Sequence, residues 1–176
     1  MDVMTSAYAS PLGTITLAAD ERGLAGLWFD GQQHFGELGS AQRRLDTATN
    51  ADTQDPAAQH TIDATRAWLD AYFADENPGS LPPLHLQGTP YQQRIWHLLL
   101  DIEPGTTTTY GALAQAYEER FGARTSPRAV GSAVGRNPVS LIVPCHRVLG
   151  ADGSLTGYAG GVERKWALLA LERASV

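Results

Sequence analysis

The chain has 176 residues, a net charge of -6 and a mean hydropathy of -0.23. This length suits one large domain or two small ones, and no apolar run is long enough to span a membrane, so we expect a cytoplasmic protein. A single cysteine excludes an intramolecular disulfide and a cysteine-rich zinc cluster, and the five histidines never occur at metal-ligand spacing. No metal site is expected.

The net charge hides an asymmetry along the chain. Residues 1–86 contain four basic residues against twelve acidic ones, a balance of -8, whereas residues 87–176 contain nine against seven, a balance of +2. The stretch 120–147 has no acidic residue and contains Arg120, Arg124, Arg128, Arg136 and Arg147. Because nucleic-acid binding depends on local cations, this stretch is predicted to face phosphates, the alternative being a solvated basic surface.

The first thirty residues alternate short β-rich runs with turn signals. The runs cover 5–9, 14–18 and 24–29, and the turns between them are Ser10–Gly13 and Asp20–Gly23. This pattern predicts a β-meander. Residues 31–58 lack periodicity and are predicted to form an irregular or mobile connection.

A helix is predicted over about 60–75. Its apolar face, which we expect to lie in the core, consists of Ile62, Thr65, Trp68, Leu69, Tyr72 and Phe73. The cluster of prolines and glycine at 77–83 follows this helix and marks a candidate boundary. We therefore expect two domains, 1–82 and 83–176.

Capping signals predict further helices in the second half. Thr89–Pro90 is a cap followed by proline, Pro104–Gly105 ends that helix, and Thr109 caps the next helix from Tyr110.

Ser126–Pro127 repeats the capping signal before a helix built mainly from Gly, Ala and Ser. Two short helices joined by a turn result, and the small side chains suit either close packing or insertion into a DNA groove. Asn137–Pro138 ends the second helix, and a glycine-rich loop over 150–161 precedes a last helix over 162–173.

The only cysteine, Cys145, is followed directly by His146 and Arg147. Adjacent cationic or hydrogen-bonding groups lower the pKa of a thiol, so Cys145 is a candidate nucleophile, the alternative being a small buried hydrophobic residue. Pro144 prevents the preceding apolar segment from continuing as a central strand, so the backbone turns at Cys145. Because adjacent side chains diverge, we expect His146 to reach the thiol through a water while a carboxylate holds its other nitrogen.

Four motifs in the second half occur in a fixed order: Arg128–Gly131, Gly135–Val139, Pro144–Val148 and Gly157–Gly161. With these motifs the chain resembles the O6-alkylguanine-DNA alkyltransferases, densely over 87–176 and only in general layout before that. The resemblance implies an α+β fold with an N-terminal α/β domain of RNase H-like topology. It also implies a C-terminal helical domain whose winged-helix-like helix-turn-helix enters the minor groove of double-stranded DNA.

The activity that the resemblance implies is direct-reversal DNA repair. An O6-alkylated guanine is flipped out of the duplex, because its alkyl carbon is not reachable inside the stack. The alkyl group then passes irreversibly to Cys145 in a single turnover, without a cofactor. A monomer is expected, and cooperative binding along DNA and activity on O4-alkylthymine are left open.

The resemblance also assigns site residues. In catalysis, Glu172 orients His146, which is linked through water to Cys145. Asn137 braces the segment before the cysteine, and Tyr110 protonates the guanine as it leaves. The expected DNA contacts are Arg128, which fills the place of the flipped base, with Tyr110, Ala129, Gly131, Ser132 and Arg136; the expected base pocket is Val148, Tyr158, Ala159 and Gly160.

The chain departs from the family in two places. The segment from Tyr110 to Arg128 is a few residues longer than in relatives, which enlarges the turn between the two helices. The zinc site of some relatives uses N-terminal Cys and His residues, of which only His85 is present here.

Three alternative functions fit the sequence less well. Alkyltransferase-like proteins that only bind lesions replace the cysteine, so Cys145 argues against them. Cysteine hydrolases join residues distant in sequence, unlike the adjacent pair Cys145 and His146. A helix-turn-helix transcription factor would not explain Pro144–Val148 or the acidic N-terminal half.

Overall fold

The computed structural model describes residues 3–39, 43–44 and 55–173. Three N-terminal strands form an antiparallel sheet in the order β1-β2-β3, with bounds β1 (Met4–Ser10), β2 (Gly13–Asp20) and β3 (Gly23–Phe29). The predicted meander is confirmed; β1 and β2 extend slightly beyond both predicted ends, and β3 begins one residue early and ends at Phe29 as predicted. Gly23 is required where β3 begins, because its φ is 142° and a Cβ there would lie 2.7 Å from the carbonyl oxygen of Pro83.

The segment after β3 is less irregular than predicted. Strand β4 (Glu37–Leu38) pairs antiparallel with β5 (Arg43–Arg44), while residues 40–42 and 45–54 of the predicted connection lie outside the described residues. Helix α1 (Pro56–Phe73) begins inside that connection, so its predicted start near 60 is wrong. The Asp55 side chain caps it, accepting a hydrogen bond from the amide of Ala57 at 2.8 Å, and proline occupies the first turn.

The predicted apolar face of α1 packs on the three-stranded sheet. Ile62 and Leu69 are almost fully buried, and Trp68 stacks on Tyr72 with ring centroids 5.3 Å apart. Phe73, at the end of this face, is only partly buried. One apolar core runs from this helix and sheet into the C-terminal half, where it includes Cys145.

The C-terminal half contains α2 (Pro90–Leu100), β6 (Thr108–Thr109), α3 (Tyr110–Phe121), α4 (Pro127–Gly135), β7 (Val148–Leu149) and α5 (Val162–Leu171). All three predicted caps form: Thr89, Thr109 and Ser126 each accept a hydrogen bond from a first-turn amide. Helix α2 ends at Leu100, before Pro104, and α5 ends two residues before its predicted end. No helix among the described residues is long and apolar enough to cross a membrane.

The small residues of α4 serve packing on one side of the helix and leave the other side open. Val130, Ala133 and Val134 are buried, and the indole of Trp96 on α2 donates to the carbonyl of Ala133 at 2.8 Å. The turn from α3 covers 122–126 and begins at Gly122, which has a φ of 64°.

The edge of β3 that does not pair with β2 is hydrogen-bonded to the segment that leads to Cys145. The amide of Leu27 donates to the carbonyl of Pro138 at 2.9 Å, and the amide of Ser140 donates back to Leu27 at 3.0 Å. The N-terminal sheet therefore positions the chain five residues before the cysteine.

Candidate active site

Cys145 begins a short 3₁₀ turn over 145–147, and the residue is only 5% exposed. The Asn137 amide donates to Cys145 Sγ at 3.2 Å and to the carbonyl of Val143 at 2.8 Å. The Asn137 carbonyl oxygen accepts from the amide of Val139 at 3.0 Å. One buried amide side chain thus holds both the thiol and the segment before it.

The thiol is not ionised by its neighbours in the resting protein. Burial raises the pKa of the Cys145 thiol, and the hydrogen bond from Asn137 and the charge of Lys165 lower it by less. The expectation of a lowered thiol pKa is wrong, because burial outweighs these effects and the smaller lowering from a backbone hydrogen bond of His146. Burial lowers the pKa of His146, so its ring is neutral, and Arg147 is occupied by another group.

That group is the carboxylate of Glu172, directly after α5, whose side chain is 2% exposed. Its Oε1 accepts from the Tyr72 hydroxyl at 2.7 Å, from His146 Nε2 at 2.7 Å and from Arg147 Nη2 at 2.8 Å. Its Oε2 accepts from Arg147 Nε at 2.9 Å. Burial by itself raises the pKa of Glu172, but the hydrogen bonds from His146 and Arg147 lower it to about 2.

The ionised carboxylate determines which nitrogen of His146 carries the proton. A carboxylate only accepts hydrogen bonds, so Nε2 of the neutral ring bears the hydrogen and Nδ1 has a free lone pair. Nδ1 is buried and has no hydrogen-bond partner in the part of the chain that the structure describes. His146 is therefore prepared to take a proton at Nδ1.

The prediction that Arg147 faces phosphates is wrong. Arg147 is 6% exposed, its guanidinium forms a two-point ion pair with Glu172, and its remaining nitrogen donates to the carbonyl of Ile102. The position of Arg147 among exposed arginines in the sequence did not indicate that Arg147 itself is buried.

Lys165 is a buried residue that the sequence reasoning did not assign to the site. Its ammonium group donates to the carbonyls of Val148 and Thr156, and its side chain is fully buried. Burial lowers the pKa of Lys165 to about 8, while the charge of the cysteine raises it. The sequence contained a signal for it, because Lys165, Leu168, Leu169 and Glu172 follow helical spacing. This spacing places the lysine on the buried face of α5 and the glutamate directly below that face, at the end of the helix.

Tyr110 begins α3 and lies between the glycine-rich loop and α4. Its hydroxyl donates to the carbonyl of Thr156 at 3.4 Å, and a Cβ on Gly131 of α4 would be 3.6 Å from its ring. Burial, and then the charge of Cys145, raise the pKa of Tyr110. The phenol is therefore protonated at neutral pH and close enough to sense the cysteine electrostatically.

The outward face of α4 and its end present most of the predicted DNA contacts. Arg128, Ala129, Ser132 and Arg136 are exposed there, and Gly131 is partly exposed. Arg136 pairs with Glu37 at 3.2 Å. Arg120 of α3 pairs with Asp101 at 2.8 Å.

The predicted base-pocket residues lie around the cysteine turn. Val148 and Gly160 are buried, and the Tyr158 ring meets the His146 ring edge to face at 6.5 Å. A Cβ on Gly160 would lie 2.7 Å from the Tyr158 ring, so only glycine fits there. The carbonyl of Ala159 accepts from the amide of Gln33 at 3.0 Å, which ties this loop to the N-terminal half.

The described residues contain no group of three or more side chains that converge as metal ligands. His85 has its Nδ1 2.6 Å from Asp20 Oδ2.

Two family models together match nearly the whole chain. The ribonuclease-like domain of 6-O-methylguanine DNA methyltransferase matches residues 3–82, and the DNA binding domain of the same family matches residues 90–174. The chain belongs to the 6-O-methylguanine DNA methyltransferase family. The predicted family is confirmed, and so is the predicted fold, a ribonuclease-like N-terminal domain followed by a helical DNA-binding domain.

Similar proteins are named as methyltransferases that act on methylated DNA and a protein cysteine. The chain is 42% identical over 165 residues to the methylated-DNA–protein-cysteine methyltransferase of Mycobacterium tuberculosis H37Rv, covering 93% of this chain and 88% of that protein. It is 38% identical over 165 residues to the enzyme of that name from Methanosarcina acetivorans, covering 94% and 95%. A crystal structure of Mycobacterium tuberculosis OGT in complex with DNA matches with a TM-score of 0.74 and 38% identity, covering 98% of this chain and 93% of that one.

This family repairs O6-alkylguanine by direct reversal, with a cysteine of the protein as the acceptor. The predicted enzymatic activity, transfer of an alkyl group from DNA to protein cysteine, is therefore confirmed at the level of the family.

Proposed function

We propose that Cys145 takes the alkyl group of O6-alkylguanine in double-stranded DNA and keeps it, so that each molecule reacts once. The observation that carries this proposal is the single cysteine: the family transfers the group to cysteine, and Cys145 is the only one in the chain. The neutral ring of His146, held by the ionised Glu172, is the base for the buried thiol. No metal or cofactor takes part in the proposed reaction.

The reaction begins with removal of the thiol proton. His146 Nδ1 takes it through a bridging water, and the hydrogen bond from Nε2 to Glu172 stabilises the imidazolium that forms. The hydrogen bond from Asn137 and the nearby ammonium of Lys165 stabilise the thiolate. These two groups act after deprotonation, because in the resting protein burial keeps the thiol protonated.

The thiolate of Cys145 then attacks the alkyl carbon opposite the guanine oxygen. The S–C bond forms as the C–O6 bond breaks, and the electron pair of that bond stays on the guanine. Tyr110, which its raised pKa keeps protonated until the reaction, donates its phenolic proton to the leaving base. It is reprotonated from solvent, to which His146 releases the proton that it took from the thiol. The products are an S-alkyl thioether and an unmodified guanine.

DNA is expected to meet the outward face of α4, with the groove contacts Arg128, Tyr110, Ala129, Gly131, Ser132 and Arg136. The minor groove suits this face because small side chains allow close approach. Arg128 lies at the start of α4, where it fills the place of the flipped base. The base then enters the pocket of Val148, Tyr158, Ala159 and Gly160, and the protein acts as a monomer in the cytoplasm.

The test is mass spectrometry of the protein after mixing with a duplex that contains O6-methylguanine. We expect one methyl group on Cys145 per molecule and none after mixing with an unmodified duplex. Cys145→Ser removes the transfer and keeps the DNA binding, because a hydroxyl is far less ionised than a thiol at neutral pH. Repeated turnover, or a methyl group on another residue, would contradict the assignment.

A further inference from the structure

Tyr72 connects the N-terminal helix α1 to the cysteine site. Its hydroxyl donates to Glu172 Oε1 at 2.7 Å, although the two residues are 100 positions apart in sequence. Its ring is buried, stacks on Trp68 and meets Phe73 edge to face, each with centroids 5.3 Å apart. The aromatic packing fixes the hydroxyl at the carboxylate, so this contact is part of the folded core.

We propose that Tyr72 is a positioning residue for alkyl transfer, whose hydroxyl holds Glu172 Oε1 in the orientation that keeps His146 Nδ1 turned toward Cys145. The proposal rests on the function proposed above for Cys145 and His146. It gives the N-terminal half of the chain a direct part in the proton transfer.

The direction of the hydrogen bond follows from the charges. Glu172 is ionised, so it accepts, and the Tyr72 phenol donates. Burial, and then the charge of Glu172, raise the pKa of Tyr72, so the phenol keeps its proton at every pH where the protein functions. Oε1 therefore shares its negative charge among Tyr72, His146 and Arg147.

Loss of the hydroxyl changes His146 in two ways. With one donor fewer, Oε1 attracts the Nε2 hydrogen of His146 more strongly, which raises the pKa of the imidazole. The ring is then protonated, and useless as a base, at a higher pH than in the wild type. The carboxylate also loses one of its fixed contacts, so the neutral ring is held less firmly.

Other charged and titratable groups face His146 and stay in place when Tyr72 becomes phenylalanine. They are Glu172 and Lys165 from the last helix and its end, Cys145 and Arg147 from its own turn, and Tyr158 from the glycine-rich loop. A change in the pH dependence of Tyr72→Phe therefore reports on the lost hydroxyl.

The experiment measures single-turnover benzyl transfer from free O6-benzylguanine to Cys145 as a function of pH, by intact mass. The free base avoids any effect on DNA binding. Tyr72→Phe is compared with wild type and with Tyr8→Phe, a matched control. Tyr8 is also a buried phenol, and it donates to a carboxylate of α1, Asp70, at the same distance of 2.7 Å, whereas the phenol that donates to Glu172 is that of Tyr72.

We expect Tyr72→Phe to slow transfer on the plateau by about tenfold, the usual effect of one charge-assisted hydrogen bond, and to move the acid side of the profile to higher pH. Tyr8→Phe should change neither. An NMR titration of the His146 ring should show a raised pKa in Tyr72→Phe alone, and this measurement does not depend on transfer.

Two outcomes would overturn the role of Tyr72. One is a wild-type pH profile in Tyr72→Phe together with an unchanged titration of His146. The other is a loss of thermal stability equal to that of Tyr8→Phe with no change in the profile, which would assign Tyr72 to packing. A wild-type protein that fails to place the benzyl group on Cys145 would instead refute the proposed function, and the His146 titration would still decide the role of Tyr72.

Discussion

Glu172→Gln keeps the size of the side chain but removes a buried negative charge on which four hydrogen bonds converge. The folded pKa of Glu172 is about 2, against an ordinary value of 4.5. This difference corresponds to about 3 kcal/mol of stability at neutral pH, because each pKa unit corresponds to about 1.4 kcal/mol. The substitution should therefore destabilise the fold by about that amount at pH 7.

The pH dependence of this stability has a definite sign. Because the folded pKa is depressed, the stabilisation is complete above the unfolded pKa and is lost as the pH falls through the folded value. At pH 3 about 1 kcal/mol of the stabilisation remains. Glutamine has no charge to lose, so the difference in unfolding free energy between wild type and Glu172→Gln should narrow by about 2 kcal/mol from pH 7 to pH 3.

The assay is urea-induced unfolding of both proteins at the two pH values. The control is Asp101→Asn, which removes the carboxylate of an ion pair with Arg120 whose side chains are 65% and 55% exposed. Exposed pairs contribute about 1 kcal/mol or less, so this variant should differ little from wild type at either pH. A cost below about 1 kcal/mol for Glu172→Gln at pH 7, or a difference that stays constant with pH, would refute the linkage argument.

Two further predictions concern DNA. Arg128→Ala should slow repair in duplex DNA by about tenfold for each 1.4 kcal/mol of unstacking energy no longer offset, and leave transfer from free O6-benzylguanine nearly unchanged; an equal loss on both substrates would assign Arg128 to the fold or pocket. DNA affinity, measured by fluorescence anisotropy, should fall steeply with salt, and Arg136→Gln should reduce the slope of log affinity against log salt by about one if Arg136 neutralises one phosphate. Binding that does not respond to salt would show that the exposed arginines form only a solvated face.

Local signals predicted much of the fold. Thr89, Thr109 and Ser126 begin helices where expected, because the hydrogen bond of a cap is made within three residues of the capping side chain. Pro144 predicts the turn at Cys145 for a similarly local reason, the fixed φ and missing amide hydrogen. The start of α1 shows that the same kind of signal can be overlooked, since Asp55 and the proline after it form a cap of the same type.

Long-range contacts account for what sequence reasoning missed. Arg147 belongs to a basic stretch in the sequence, but in the fold its guanidinium is buried and paired with Glu172. Tyr72 was expected to be core, which is true of its ring, while its hydroxyl meets a carboxylate 100 residues away. The raised pKa of Cys145 depends on burial by the whole core, and no adjacent residue encodes that.

The N-terminal half contributes to the site at several points. The hydroxyl of Tyr72 donates to Glu172. Arg164 of α5 donates to the carbonyl of Leu12 in the turn before β2 and to that of Gly160, one of the residues proposed for the base pocket. Strand β3 is also hydrogen-bonded to the segment before Cys145. The division into 1–82 and 83–176, which stays a prediction, therefore describes chain order better than chemistry. The proposed nucleophile, Cys145, and its proposed base, His146, lie in the second part. The first part contacts the residues that hold them, since α1 reaches Glu172 through Tyr72 and β3 bonds the chain at Pro138 and Ser140.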